Sequence, residues 1–241
     1  MPKRLLITRT EPEASHLANC LQEQGHDVIT EPLMDVVYLT PSLPGVTHQA
    51  LVATSGHALY SLEKNLNHYS ALKHLPIFAV GERTAELCQK LQQKMNFQSI
   101  YQGPGTALEL LETIIARVNP KAGPLLHIAA AKLAVDLTNH LKKHQIELQK
   151  CIVYETRERN TFSQNTKHKI MSGELDGVIL MSPNASRIWA RLIQQEALYS
   201  KAKHITAFCL SAQVAQPLES LAEIPIKVAA QPSQSAVLEL L

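Results

Sequence analysis

Residues 51–59 read Leu51-Val52-Ala53-Thr54-Ser55-Gly56-His57-Ala58-Leu59, and residues 178–186 read Val178-Ile179-Leu180-Met181-Ser182-Pro183-Asn184-Ala185-Ser186. Each stretch is an apolar run of strand length, then a serine, two turn residues and an alanine that opens a helical pattern. A strand that feeds a helix through a serine-capped turn is the repeating element of a parallel α/β sheet. Its appearance twice, far apart in the chain, points to an internal duplication.

Working outward, more pairs fall into place. Ile77-Phe78-Ala79-Val80-Gly81-Glu82-Arg83-Thr84-Ala85 matches Ala207-Phe208-Cys209-Leu210-Ser211-Ala212-Gln213-Val214-Ala215. The helix pattern Ala107-Leu108-Glu109-Leu110-Leu111 returns at the end as Ala236-Val237-Leu238-Glu239-Leu240-Leu241. Residues 17–28 resemble residues 137–148. The chain order is therefore x (near 1–32), y (48–118), x′ (124–150), y′ (174–241). Pattern alone does not say whether x pairs with y or with y′. Residues 33–40 and 150–158 occupy matching places and are extended, with Val36-Val37-Tyr38 and Ile152-Val153-Tyr154. They read as two strands crossing between lobes.

The alternation runs through the whole chain. A first strand at Leu5-Leu6-Ile7 precedes a helical pattern from Glu11 to Gln24, which Gly25 stops as a left-handed cap does. Further strands are expected at 28–29, 50–53, 77–80, 99–101, 125–128, 150–154, 177–181, 206–210 and 226–229. Several are unbroken apolar runs, as in parallel sheets covered by helices on both faces.

Composition narrows the function. A length of 241 residues suits two domains, and 45% hydrophobic with 18% charged residues is ordinary for a globular protein. The formal net charge is only +2 and no Lys/Arg run exceeds two residues, which argues against a nucleic-acid partner. The N-terminal apolar run is too short for a signal segment and no window approaches a membrane span. Cys20, Cys88, Cys151 and Cys209 lie far apart, with no C-x-x-C pair. They read as reduced thiols of a cytoplasmic protein. The eleven histidines form no H-E-x-x-H, so no metal is expected. There is no G-x-G-x-x-G, P-loop or G-x-S-x-G motif, and Thr10-Glu11-Pro12 offers no nucleotide fingerprint after the first strand.

In open parallel sheets ligands bind beyond the carboxyl ends of the strands. Those ends carry Thr8 and Arg9, Thr54 and Ser55, Gly81 and Thr84, Ser182, Pro183 and Asn184, and Ser211. Each precedes a helix, so each hydroxyl can serve as a cap. The same turns present free backbone N–H groups and the positive end of a helix dipole. If several such turns line one shared small-molecule cleft, they favour a ligand with many negative groups. Glu11, Glu13, Glu109 and Glu112 sit on solvated helix faces. Proton transfer therefore falls to Tyr154, a phenol ending an apolar strand, which could equally be a packing tyrosine.

The ordered set Leu6-Ile7-Thr8-Arg9, Ala53-Thr54-Ser55, Ala79–Ala85, Val153-Tyr154-Glu155-Thr156, Val178–Pro183 and Cys209-Leu210-Ser211 resembles the uroporphyrinogen-III synthase family. The stretches span essentially the whole chain in the family's order. Departures lie at His57, where many members carry Asn, at Leu210-Ser211, where many carry Gly-Pro or a similar pair, and at Ala129–Val135, where a Gly-Arg-Glu run gives way to an Ala-rich loop in which Lys132 would take over part of the arginine's role.

The resemblance implies two Rossmann-like or flavodoxin-like parallel-sheet lobes joined by a two-stranded β-ladder. Residues 1–35 with 158–241 would form one lobe and 41–150 the other, with 33–40 and 150–157 connecting them. It implies turnover of hydroxymethylbilane, a linear tetrapyrrole with eight carboxylates, to uroporphyrinogen III in the inter-lobe cleft. Tyr154 would be catalytic and the strand-end residues named above, with Lys132, would bind substrate. No cofactor is implied. A cytoplasmic monomer is expected, with transient contact to the preceding enzyme of the pathway. A non-catalytic two-lobed sensor for a small anion shares the same repeat and cleft, and is the rival reading.

Overall fold

The computed structural model describes residues 1–241. The chain divides into two compact units, Met1–Asp35 with Arg157–Leu241, and Val36–Thr156. It passes from one to the other twice.

The first unit is a five-stranded sheet in the order β11-β10-β9-β1-β2, comprising Arg4–Ile7 (β1), Asp27–Thr30 (β2), Gly177–Leu180 (β9), Thr206–Cys209 (β10) and Ile226–Val228 (β11). Every pairing is parallel. The question the repeat leaves open is answered by β1, which lies beside β9 with Leu5 opposite Gly177 and Ile7 opposite Ile179. Arg4 reinforces this junction. Its backbone N–H and guanidinium donate to the Asp176 carboxylate at 2.7, 3.1 and 2.7 Å. Helices cover both faces: Leu6 joins the core around Trp189 and Phe162, while Leu5 and Ile7 join the core around Leu17, Leu21 and Phe208. That double burial is why β1 reads as an unbroken apolar run.

The second unit is a six-stranded sheet in the order β3-β8-β7-β4-β5-β6. Its strands are Met34–Tyr38 (β3), Ala50–Ala53 (β4), Ile77–Ala79 (β5), Ile100–Gln102 (β6), Leu125–Ala130 (β7) and Leu148–Glu158 (β8). The strands from β8 to β6 are parallel. β3 runs antiparallel to β8, because Leu39 N donates to Val153 O while Arg159 N donates to Leu33 O. The two chain crossings thus fall within a pair of strands at the edge of this sheet. Alternate residues again serve two cores, with Leu51 and Ala53 on one face and Ala50 and Val52 on the other.

Helix starts follow the local chemistry. Ser55 and Ser182 cap the helices Gly56–Lys64 (α2) and Pro183–Gln195 (α7) with nearly identical backbone angles, φ/ψ −156/143 and −152/149. Thr106 and Glu109 form a reciprocal capping box on Ala107–Ile115 (α4). The first helix (α1) is Glu13–Glu23, two residues later than the expected start at Glu11, because Pro12 takes the cap position. No helix is long and apolar enough to cross a membrane.

Candidate functional site

Both sheets reverse strand order once. In the first unit the chain adds β2 on one side of β1, and β9, β10 and β11 on the other. In the second, β5 and β6 lie on one side of β4, and β7 and β8 on the other. At such a point the two flanking loops leave in opposite directions and open a crevice beyond the carboxyl ends of the central strands. The crevices therefore fall between β1 and β9, and between β4 and β7.

The first crevice is a cavity of about 220 Å³. Thr8, Arg9 and Ser182 line it together with Met34, Met181 and Leu210. The two methionines give it an apolar wall that sequence reading missed. Thr8 is almost wholly buried and donates its hydroxyl to Ile179 O at 2.9 Å, so that proton is committed to the sheet. Ser182 Oγ accepts from Ala185 N at 3.2 Å. A cap uses an oxygen lone pair and leaves the hydroxyl proton for an acceptor, so Ser182 can cap and donate at once. Pro183 takes the first helical position of α7, which needs no N–H donor. Asn184 does not itself line the cavity but is tied to its wall: its amide nitrogen lies 3.0 Å from Met34 Sδ and its oxygen accepts from Arg187 at 2.6 Å. Ser211 caps the short helix Ala212–Ala215 (α9) and is not in the cavity wall.

In the second unit Thr54 directly follows β4, with its Oγ1 3.0 Å from His127 Nε2, and Ser55 Oγ accepts from His57 N at 3.2 Å. Gly81 caps the helix Glu82–Met95 (α3), and Thr84 is buried in its first turn. Gly81 must lack a side chain, since a Cβ there would stand 2.9 Å from Gly105 Cα. Lys132 is exposed on the loop after β7.

Tyr154 owes its position to a defect in the sheet. Ile152 pairs with Ala129 and Tyr154 with Ala130, so Val153 is an extra residue on β8. Without this bulge Val153 and Tyr154 would point to opposite faces; with it both join one core. Tyr154 is 6% exposed. Its ring centroid is 5.5 Å from that of His57. His57 Nδ1 is 3.1 Å from Tyr38 Oη, Tyr60 approaches edge-on at 5.9 Å, and Lys64 Nζ lies 4.2 Å from the Tyr38 ring centre. A phenol, an imidazole and two further tyrosines are thus assembled at the start of α2. Such a group can donate a proton and hold planar, electron-rich rings.

Other reactive groups are quiet. Burial pushes the Cys88 and Cys209 thiols up to about 12, and raises Cys151 as well. Nowhere do three or more His, Cys, Asp or Glu converge as metal ligands. His140 and His144 share the spacing of a helical turn, but both are exposed and no third ligand joins them.

A family model described as uroporphyrinogen-III synthase HemD matches residues 15–239. None of the curated protein sequences matches. Among solved structures, uroporphyrinogen-III synthetase from Helicobacter pylori is similar over 100% of this chain and 98% of its own, at 19% identity and a TM-score of 0.65. A mutant uroporphyrinogen III synthase from the extreme thermophile Thermus thermophilus is similar over 98% of this chain and 96% of its own, at 13% identity and a TM-score of 0.53. At these identities the likeness is one of fold.

Proposed function

The chain belongs to the uroporphyrinogen-III synthase family, and from that premise we propose that it acts as a cyclising hydro-lyase on hydroxymethylbilane. It is an enzyme of heme biosynthesis with a tetrapyrrole substrate. The observation that carries the reading is the family match across nearly the entire chain.

In this proposal Tyr154 gives its phenolic proton to the departing hydroxyl, which leaves as water while the adjacent pyrrole nitrogen supplies the electron pair. The resulting azafulvene is attacked by the last pyrrole ring at its substituted carbon. The spiro intermediate opens and recloses with that ring inverted, and the proton lost on rearomatisation restores the phenol. The net change is loss of one water. A phenol has a reference pKa near 10, so it carries its proton at neutral pH. The reactive substrate closes unaided to the wrong isomer, so the enzyme's main task is to hold one geometry.

Thr54, Ser55, Gly81, Thr84 and Lys132 in one unit, and Thr8, Arg9, Ser182, Pro183, Asn184 and Ser211 in the other, are proposed to hold the substrate. Thr8 and Gly81 act through backbone N–H groups, Ser55, Ser182 and Ser211 through the proton each cap leaves over. The protein works as a cytoplasmic monomer that meets the preceding enzyme transiently. The test is incubation with freshly generated hydroxymethylbilane followed by isomer analysis. The type III isomer in excess over the spontaneous product supports the proposal; spontaneous product alone refutes it.

A further inference from the structure

β7 carries one polar side chain, His127, among Leu125, Leu126 and Ile128, and it is wholly buried. Register places His127 beside Val52 of β4 and Lys150 of β8. Lys150 is paired with Asp136 at 2.6 Å. Nothing in a covered sheet core calls for an imidazole. A leucine would fill the site without the cost of burying two ring nitrogens.

The two nitrogens differ. Nε2 lies 3.0 Å from Thr54 Oγ1, whereas Nδ1 is buried with no partner. The ring is neutral at physiological pH, because burial first and the nearby Lys150 cation second push its pKa down to about 4, against a smaller opposing effect of Asp136. A neutral ring has one N–H. Placed on Nδ1, it would be an orphaned buried donor, which native proteins avoid more strictly than an orphaned lone pair. Placed on Nε2, it is satisfied by Thr54. The hydroxyl of Thr54 then accepts rather than donates toward the core. Its own proton has no other acceptor within the protein and is left for whatever occupies the crevice between β4 and β7.

We propose that His127 is a positioning residue: it donates Nε2–H to Thr54 Oγ1 and so fixes the Thr54 hydroxyl as an outward donor to a carboxylate of the substrate. The inference rests on the reading of Thr54 as substrate-binding. It also gives the sheet's half-buried threonine a defined polarity, which a freely rotating hydroxyl lacks.

The experiment combines kinetics with nitrogen-15 NMR of the imidazole. With freshly generated hydroxymethylbilane, Thr54→Val is expected to raise KM about tenfold, in line with a charge-assisted hydrogen bond. His127→Leu raises KM about three- to tenfold with kcat within about twofold, and the double variant is no worse than Thr54→Val alone. His127→Gln, whose amide can still donate, restores most of the affinity. The NMR spectrum shows the Nε2-protonated tautomer. An Nδ1–H tautomer overturns the proposal, even if no variant folds. So does a normal KM in His127→Leu when Thr54→Val is impaired, or strict additivity of the two changes. A normal KM in Thr54→Val removes Thr54 from the binding set and overturns the underlying reading together with the inference.

Discussion

The imidazole of His57 and the phenol of Tyr154 lie with ring centroids 5.5 Å apart and planes inclined by 47°. They come from different elements, the first turn of α2 and the middle of β8. They meet because Val153 is inserted into β8 opposite Ala129 and Ala130, which turns Tyr154 onto the α2 side of the sheet.

Replacing Tyr154 by Phe keeps the ring in that cluster and removes the hydroxyl. Positioned proton transfer contributes about 10²–10⁴-fold, and turnover should fall toward the low end because the azafulvene also forms spontaneously. The enzymatic product should remain type III, since ring inversion is governed by the shape of the site. Rate measurements with product-isomer analysis check both points. An unchanged rate would reduce Tyr154 to packing, and a switch to type I would mean that the hydroxyl also steers closure.

His127 makes stability depend on pH in a direction that can be worked out. Its pKa is near 6.5 in the unfolded chain and about 4 in the folded one, so the unfolded state binds more protons between those values. The contribution is fully present above pH 6.5 and is lost as pH falls toward 4. Between pH 7 and pH 5 the loss should be about 2 kcal/mol. His127→Leu should lack that part of the slope. Urea unfolding of the two proteins across this range is the measurement; parallel pH profiles would contradict it.

Much of the architecture can be read from the chain. Alternating apolar strands and serine-capped helices announce parallel sheets, because Ser55 and Ser182 do locally what such turns require. The partner of β1 is another matter. Leu5, Leu6 and Ile7 are equally apolar on both faces and would suit either sheet, so only the long-range pairing with Gly177–Ile179 decides. The site is less legible still. Ordinary alternation puts Tyr154 on the face of Ile152, and no residue type announces the Val153 bulge. Thr8 and Ser182 look alike in sequence, yet one has spent its proton on Ile179 O and the other has not. His127 did leave a signal, as a lone polar residue in an otherwise apolar strand.

Gly81 should tolerate no side chain. Alanine would bring Cβ to 2.9 Å from Gly105 Cα, a backbone atom that moves only with its loop. Its φ of −168° is extended, so the penalty comes from crowding and not from conformation. Overpacking of this kind costs about 1–3 kcal/mol. Thermal and urea unfolding of Gly81→Ala measure it, and a wild-type stability would show that the two loops separate freely.

Ser182 allows capping and ligand binding to be separated. Ser182→Ala should destabilise the protein by about 1 kcal/mol through loss of the α7 cap. Ser182→Asp restores the cap, since aspartate caps as well as serine, but sets a negative charge at the cavity mouth. Its stability should return to the wild-type value while KM for the polycarboxylate substrate rises beyond that of the alanine variant. Equal KM values for the two variants would confine Ser182 to capping.

The double passage of the chain has a consequence during synthesis. Residues 36–156 leave the ribosome as a contiguous block whose strands all find partners within it. The first strand cannot do so. Leu5, Leu6 and Ile7 need Gly177–Ile179 beside them, and that segment emerges only after the whole second unit has done so. The nascent N-terminus therefore spends most of translation as an apolar ribbon paired at best with β2. It is during that interval, and not in the finished protein, that this chain is most exposed to aggregation.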